Sequence, residues 1–376
     1  MSDSLNVQGE LAESALRFIR DRYPNEAAWR RQRRNEPFNA ANWKIMAELG
    51  WLAIGVAPEY GGMGGGLSEI MAVTAVLGRA PTAEPLITSS VVCGSIISQA
   101  ATQLAVRTLG AMTDGSVRLA LAHSERWSRW RRSYVTTRCE KTADGSWRLK
   151  GAKHCVPDGP AANTFIMSAR VSGSDDDVSG VALFLLDRAT PGLVFRDYQT
   201  VDGRWACDIA IDNLVLSSSQ LLSIGAKSIT MLSAAEGRGI AAIAAEATGA
   251  MDALIDMTRE YLHTRKQFGN SLVVNQVLRH RMAEMVIALD EAHTAAYMSM
   301  LAAESGDEHT LSVAKKCLGK VTRQVGHAAI QLHGAIGMTD DCQVGSLVKR
   351  LEVINMSFGN SAYHLSLLAK EVAHGW

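Results

Sequence analysis

The sequence predicts an α+β protein with three parts: an N-terminal helical domain over residues 1–117, a small antiparallel β domain over 118–218, and a C-terminal four-helix bundle over 219–376. Three observations carry that reading. Apolar residues recur at helical spacing towards both ends of the chain. The middle changes to short alternating runs with turn signals between them. The C-terminal apolar stripes are long enough to pack as a bundle.

Near the N-terminus Leu11, Ala15, Leu16 and Ile19 share one helical face, and Trp43, Ile45, Met46, Leu49 and Trp51 mark another helical stretch. The helices are separated by Pro58-Glu59-Tyr60-Gly61-Gly62-Met63-Gly64-Gly65-Gly66, whose glycines exclude helix interior and read as a loop. In the middle, the run 133–139 leads through Asp144-Gly145 into Trp147-Arg148-Leu149-Lys150, a hairpin with an Asp-Gly turn. Residues 165–169 and 181–186 are apolar enough for buried strands, and Gly173-Ser174-Asp175-Asp176-Asp177 reads as a solvated tip. Closely spaced strands with no helix between them predict an antiparallel sheet or small barrel. Beyond Ser219, one stripe runs through Ile240, Ile243, Ala247, Met251, Leu254, Thr258 and Tyr261. A second holds Leu278, Met282, Met285, Leu289 and Ala292, and a third Val313, Cys317, Val321, Val325 and Ala328; Val353, Ile354, Phe358 and Leu365 hint at a last helix.

Composition narrows the function classes. Lys plus Arg and Asp plus Glu both total 38, so no net field draws the chain to nucleic acid or an anionic membrane. No apolar run reaches the ~18 residues of a membrane span. The start of the chain has neither the basic nor the apolar part of a secretion signal. Six cysteines lie scattered without a CxxC pair, which suits reduced thiols and argues against a disulfide framework or a zinc site. The expectation is a soluble, cytoplasmic, multi-domain protein without a metal.

Two segments stand out from their helices. In Tyr261-Leu262-His263-Thr264-Arg265-Lys266-Gln267-Phe268-Gly269 a helix ends in a basic turn and a glycine stop, with Gln276 a little further on. In Gln331-Leu332-His333-Gly334-Ala335-Ile336-Gly337-Met338-Thr339 two glycines after an apolar helix let backbone approach a partner closely. Each alone is consistent with an ordinary helix terminus. Together they resemble the acyl-CoA dehydrogenase family. The resemblance extends to the glycine run at 58–66, to Leu119-Ala120-Leu121-Ala122-His123-Ser124-Glu125 and to Lys349-Arg350-Leu351, and so covers nearly the whole chain.

The resemblance implies a dimer-forming bundle with FAD across the interface. It implies that Arg265 meets the FAD diphosphate, that Phe268 and Gln276 line the adenosine end, and that Gln267 is among the cofactor-binding residues. Gln331, Leu332, His333, Gly334 and Ala335 would form the opposing loop, and Ser124 would be retained near the flavin. A guanidinium fork suits phosphate oxygens. His333 is equally open as a core or interface histidine.

The family's reaction removes two hydrogens from an acyl-CoA thioester, a carboxylate taking the α proton. In the usual pattern a Glu precedes a Gly-Thr pair; here Phe358 stands at that position in Met356-Ser357-Phe358-Gly359-Asn360-Ser361. The alternative base position on the first bundle helix falls at Gly239. Glu246 does not match it, and Glu236 is an outside candidate, though a solvent-facing helix charge is an equally ordinary role for it. In Lys153-His154-Cys155-Val156-Pro157-Asp158-Gly159 the aromatic and hydroxyl residues of the usual strand are replaced by Cys155 and Pro157. Arg126-Trp127-Ser128-Arg129-Trp130-Arg131-Arg132 could clamp a phosphate or stack a base, or pack on another subunit.

These replacements resemble the small, base-less subunits of heterotetrameric acyl-CoA dehydrogenases acting on pimeloyl-CoA or on steroid side chains. The first expectation is therefore an α2β2 assembly in which this chain lends a flavin half-site to a Glu-bearing partner that works on an acyl-CoA in fatty acid or steroid side-chain degradation. A self-sufficient enzyme with Glu236 as base is the second. A CoA-ester or protein-binding scaffold without redox chemistry is the third. The acyl chain itself is not legible.

Overall fold

The computed structural model describes residues 2–24, 35–100, 102–339 and 342–374. The chain forms two compact units, one from residues 1–31, 67–82 and 240–376, the other from 32–66 and 83–239. The element order is helices, then strands, then helices, as the hydrophobic spacing predicts.

The first unit is helical. It contains α1 (Ser2–Arg22), α3 (Leu67–Gly78), the later part of the 39-residue α6 (Ala226–Thr264), α7 (Gln276–Ser305), α8 (Glu308–His333), α9 (Val344–Met356) and α10 (Ser361–His374). Helix α8 packs against α7, α9 and α10. Its start is set by Asp307, whose carboxylate accepts from the Thr310 N–H at 3.0 Å. Helices α3 and α6 cross backbone to backbone. A Cβ on Gly78 would lie 2.0 Å from the Glu246 carbonyl oxygen, and one on Gly249 would lie 1.7 Å from that of Ala75. Only glycine permits that approach. Arg79 closes the crossing through ion pairs to Asp252 and Asp256, the latter at 2.8 Å. The last predicted helix is two, α9 and α10, separated at Ser357–Asn360 where Phe358 and Gly359 take positive φ.

The second unit holds α2 (Ala40–Glu48), a π-helical turn Ile87–Cys93, α4 (Gly94–Ser98), α5 (Gln103–Thr113), eight strands and the start of α6. The glycine run at 58–66 folds back on the preceding turn: Met63, Gly64 and Gly65 N–H groups donate to the carbonyls of Ala53, Val56 and Ile54. Strands β1 (Leu119–Ala122), β2 (Arg138–Lys141), β3 (Trp147–Pro157), β4 (Thr164–Arg170), β5 (Val181–Asp187), β6 (Leu193–Gln199), β7 (Trp205–Leu216) and β8 (Leu221–Ile224) build one sheet in the order β6-β7-β3-β2-β4-β5-β8. Its ladders are antiparallel except that β1 runs parallel to β4, as does a single bridge between β2 and β4. The Asp-Gly hairpin forms with Lys141 opposite Trp147. Its first strand begins at Arg138 rather than Ser133, because the Thr136 and Thr137 amides donate to the Glu125 carboxylate instead of to a neighbouring strand. The two apolar runs are β4 and β5, paired in register from Thr164–Asp187 to Arg170–Val181 and almost wholly buried. The core of this sheet includes Phe165, Met167, Phe184, Ile209 and Leu214.

Candidate functional site

The two C-terminal motifs, distant in sequence, come together through one aromatic contact. Tyr261 lies on the last turn of α6 and His333 is the last residue of α8; their rings stack at 4.6 Å and 25°. His333 is buried and its Nδ1 lies 2.9 Å from the Ala329 carbonyl oxygen, so Nδ1 carries the hydrogen. Burial pushes its pKa down, partly offset by that backbone bond. Leu332 is buried as well. The side chains of His333 and Leu332 thus serve the bundle, and what this turn presents outward is Gln331, Gly334 and Ala335, all exposed. The sequence marks Tyr261 only as part of the apolar stripe of this helix and of the 261–269 segment; its stacking on His333 is what the structure adds.

Gly334 ends α8 at φ 69°, ψ −144°, a conformation open only to glycine, and a Cβ there would meet nothing within 4 Å. Its face is therefore open. Beyond Tyr261, Arg265 and Gln267 are exposed, and a short hairpin, β9 (Lys266–Gln267) with β10 (Asn270–Ser271), turns through Phe268 and Gly269 at φ 51° and 81°. That turn leaves the Phe268 ring fully exposed. Gln276, exposed, opens α7. The Arg265 guanidinium has no acidic partner among the described residues. An exposed guanidinium just past the end of α6, the helix whose last turn stacks on His333 beside the open Gly334 backbone, suits a diphosphate.

At the other end of α9 the expected base position is filled by Phe358, half-buried at φ 54°. The turn is rigid. The His364 Nε2–H donates to the Phe358 carbonyl at 2.9 Å, while its Nδ1 accepts from Ser312 at 3.2 Å. The buried Lys315 ammonium donates to the carbonyls of Ile354, Asn355 and Gly359 at 3.1, 2.9 and 2.9 Å. Burial pushes the Lys315 pKa down to about 7. Nothing in this turn accepts a proton from carbon. Glu246 is also engaged: Arg350 of the Lys-Arg-Leu segment grips both its oxygens, at 2.8 and 2.7 Å.

In the sheet unit, Ser124 is exposed and its carbonyl accepts from the His154 N–H at 2.8 Å. Beside it Glu125 accepts from Lys153 Nζ at 2.6 Å and from the amide and hydroxyl of Thr136 and Thr137. Burial alone raises a carboxyl pKa, but the Lys153 charge and these hydrogen bonds outweigh it and hold Glu125 down at about 2. Lys153 Nζ also donates to Ser168 Oγ at 2.9 Å, so the Ser168 proton goes to His123 Nδ1, 2.9 Å away. His123 therefore carries its hydrogen on Nε2, a buried N–H without an acceptor among the described residues. Burial, reinforced by the Lys153 charge, drives its pKa down to about 3 and keeps it neutral.

On β3, Cys155 takes φ 51° at a bulge, its N–H donating to Asp208 at 3.0 Å, and Pro157 is exposed on the strand opposite Ala206. Proline has no N–H and no hydroxyl, so this strand lacks a donor there. Gly239 is buried inside α6 and has no acceptor to offer. Glu236 is engaged, its carboxylate pairing with Arg132 Nε at 2.7 Å. The residues present therefore fit the diphosphate and adenosine end of a flavin dinucleotide and do not fit its reacting ring. Among the described residues no cluster of His, Cys, Asp or Glu could hold a metal ion, and no helix is long and apolar enough to cross a membrane.

Three family models match the chain: the acyl-CoA dehydrogenase N-terminal domain over residues 6–116, the middle domain over 120–214 and the C-terminal domain over 229–373. The mitochondrial 2-methylacyl-CoA dehydrogenase of Solanum tuberosum is 23% identical over 382 residues, covering 98% of this chain and 90% of that one. A variant of the Tcur3481–Tcur3483 steroid ACAD superposes with a TM-score of 0.88 at 24% identity, over 99% of both chains. The ChsE4–ChsE5 complex from Mycobacterium tuberculosis gives 0.85 at 19% identity, over 98% of this chain and 97% of that one.

Proposed function

Because the chain belongs to the acyl-CoA dehydrogenase family, whose members are flavin-dependent dehydrogenases acting on CH–CH groups, we propose that it is a subunit that lends half of an FAD site to a Glu-bearing partner. The observation that carries this is the contrast between Arg265, exposed and without an acidic partner among the described residues, and Phe358, a clamped hydrocarbon where a proton acceptor is required. Arg265 holds the diphosphate, and Gln267, Phe268 and Gln276 line the adenosine end. Gln331, Gly334 and Ala335 meet the dinucleotide with backbone and small groups, while Leu332 and His333 hold the turn from inside. Ser124 is the contact nearest the ring. When bound, FAD would supply the hydride acceptor for the β carbon of the acyl thioester. The proton acceptor comes from the partner, in an α2β2 assembly. That two steroid-type neighbours of the same fold carry two names each, one described as a complex, is in keeping with this. The Arg132–Glu236 ion pair disfavours a relocated base at Glu236.

Co-expression with a Glu-bearing acyl-CoA dehydrogenase subunit is expected to yield about one flavin per heterodimer by absorbance, with the chain alone inactive on acyl-CoAs. A yellow homo-oligomer that oxidises acyl-CoAs without a partner overturns the reading.

A further inference from the structure

The loop between β1 and β2 carries four arginines and two tryptophans in seven residues, 126–132. Two of the arginines are engaged. Arg131 pairs with Asp176 and covers the Tyr134 ring at 4.4 Å, and Arg132 pairs with Glu236 at 2.7 Å. Arg126 and Arg129 are exposed and have no acidic partner among the described residues. Between them Trp127 is 61% exposed, with the Arg126 guanidinium 5.4 Å from its ring. An indole left this open to water is unusual unless something stacks on it.

The loop is built to hold that display. Ser128 is buried, its hydroxyl donating to the Glu125 carbonyl at 2.9 Å and its carbonyl accepting from the Arg131 N–H at 2.9 Å. Glu125 is itself fixed by Lys153, Thr136 and Thr137. Arg129 and Trp130 are held at φ 42° and 65°, left-handed values that side-chain-bearing residues adopt only when the surroundings impose them.

Two uncompensated guanidinium forks flanking an exposed indole match a phosphorylated nucleotide, the base on the ring and the phosphates in the forks. We propose that Arg126, Trp127 and Arg129 grip the nucleotide end of coenzyme A, its 3′-phosphorylated adenosine diphosphate. This rests on the acyl-CoA reading above but is independent of the flavin half-site. It gives the chain a substrate contact of its own although Phe358 offers no base. A nucleic acid strand suits the loop less well. Strand binding needs a cationic groove with successive stacking residues, whereas here Asp175, Asp176 and Glu236 neutralise the neighbouring Arg138, Arg131 and Arg132 and the net charge is zero.

The test uses the full chain and calorimetric titration with coenzyme A, 3′-dephospho-coenzyme A, pantetheine and a thymidine oligonucleotide. Wild type is expected to bind coenzyme A at least fivefold tighter than the dephospho form. Arg126→Gln/Arg129→Gln is expected to weaken coenzyme A at least tenfold, and Trp127→Ala at least fivefold, with melting temperatures unchanged and any pantetheine binding unaffected. Equal binding of coenzyme A by wild type and the double variant overturns the proposal while leaving the acyl-CoA reading intact. So does tighter binding of the oligonucleotide than of coenzyme A. If wild type binds none of the four, this site is wrong, and the flavin stoichiometry with a partner still judges the half-site separately.

Discussion

At the scale of single residues, the carboxylates show how burial and partners separate chemistry from architecture. Glu125 lies in a segment the sequence marks as retained near a flavin, yet its two oxygens accept five hydrogen bonds from Lys153, Thr136 and Thr137. A carboxylate so held is a structural anchor. Glu125→Gln leaves the Lys153 ammonium buried without its counter-charge and is expected to cost about 3 kcal/mol in urea unfolding at pH 7. The pH dependence has a definite sign. An unfolded Glu titrates near 4.5 and the folded one near 2, so the stabilisation is complete above pH 4.5 and is lost as pH falls through 2. The gap between wild type and Glu125→Gln should therefore close across that window; a constant gap contradicts the assignment. Glu246 and Glu236, bound to Arg350 and Arg132, follow the same logic. Their roles were not legible in the sequence, because their partners lie on other elements, about a hundred residues away in each case.

At the scale of elements, helix ends and helix crossings place the functional groups. The periodicity of α6 and α8 was readable, and so were their ends, since a basic turn and glycine stops are local signals. That Tyr261 and His333 stack, and so tie the end of α6 to the end of α8, is a tertiary fact. The turn between α9 and α10 is another. Lys315 on α8 reaches three carbonyls around Phe358–Gly359 from inside the bundle, with no carboxylate paired to it among the described residues. Lys315→Met removes three donors from buried carbonyls and is expected to destabilise the chain by at least ~3 kcal/mol in urea unfolding. The buried lysine titrates near 7 and an unfolded one near 10.5. Between those values the unfolded chain binds more protons, so the Lys315 contribution grows as pH rises. Wild type should gain stability relative to Lys315→Met from pH 7 to 9, and a gap that narrows over this range refutes the assignment.

At the scale of the whole molecule, each unit carries part of what a flavin dehydrogenase needs. The helical unit carries the exposed Arg265 proposed to grip an anion, the sheet unit a cationic aromatic loop, and the family's two base positions hold Phe358 and Gly239. In a complex with a catalytic partner, Arg265→Gln is expected to lower flavin retention at least tenfold through a desalting column while leaving the melting temperature of the chain alone within about 1 °C, because Arg265 is exposed and has no acidic partner among the described residues. Full flavin retention by the variant removes Arg265 from the site.

The sequence by itself determined the order of helices, strands and helices, and the positions of the glycine stops. It also determined that Phe358, Pro157 and Gly239 cannot do acid–base work, since periodicity, backbone freedom and side-chain chemistry are local properties. Tertiary structure alone decided which charges are free. Of the arginines at 126–132 and 265, it engaged Arg131 and Arg132 and left Arg126, Arg129 and Arg265 without acidic partners among the described residues. It turned His333 inward onto Tyr261. Ion pairing and stacking depend on what the fold brings within a few ångströms, and residues far apart in sequence carry no local sign of that.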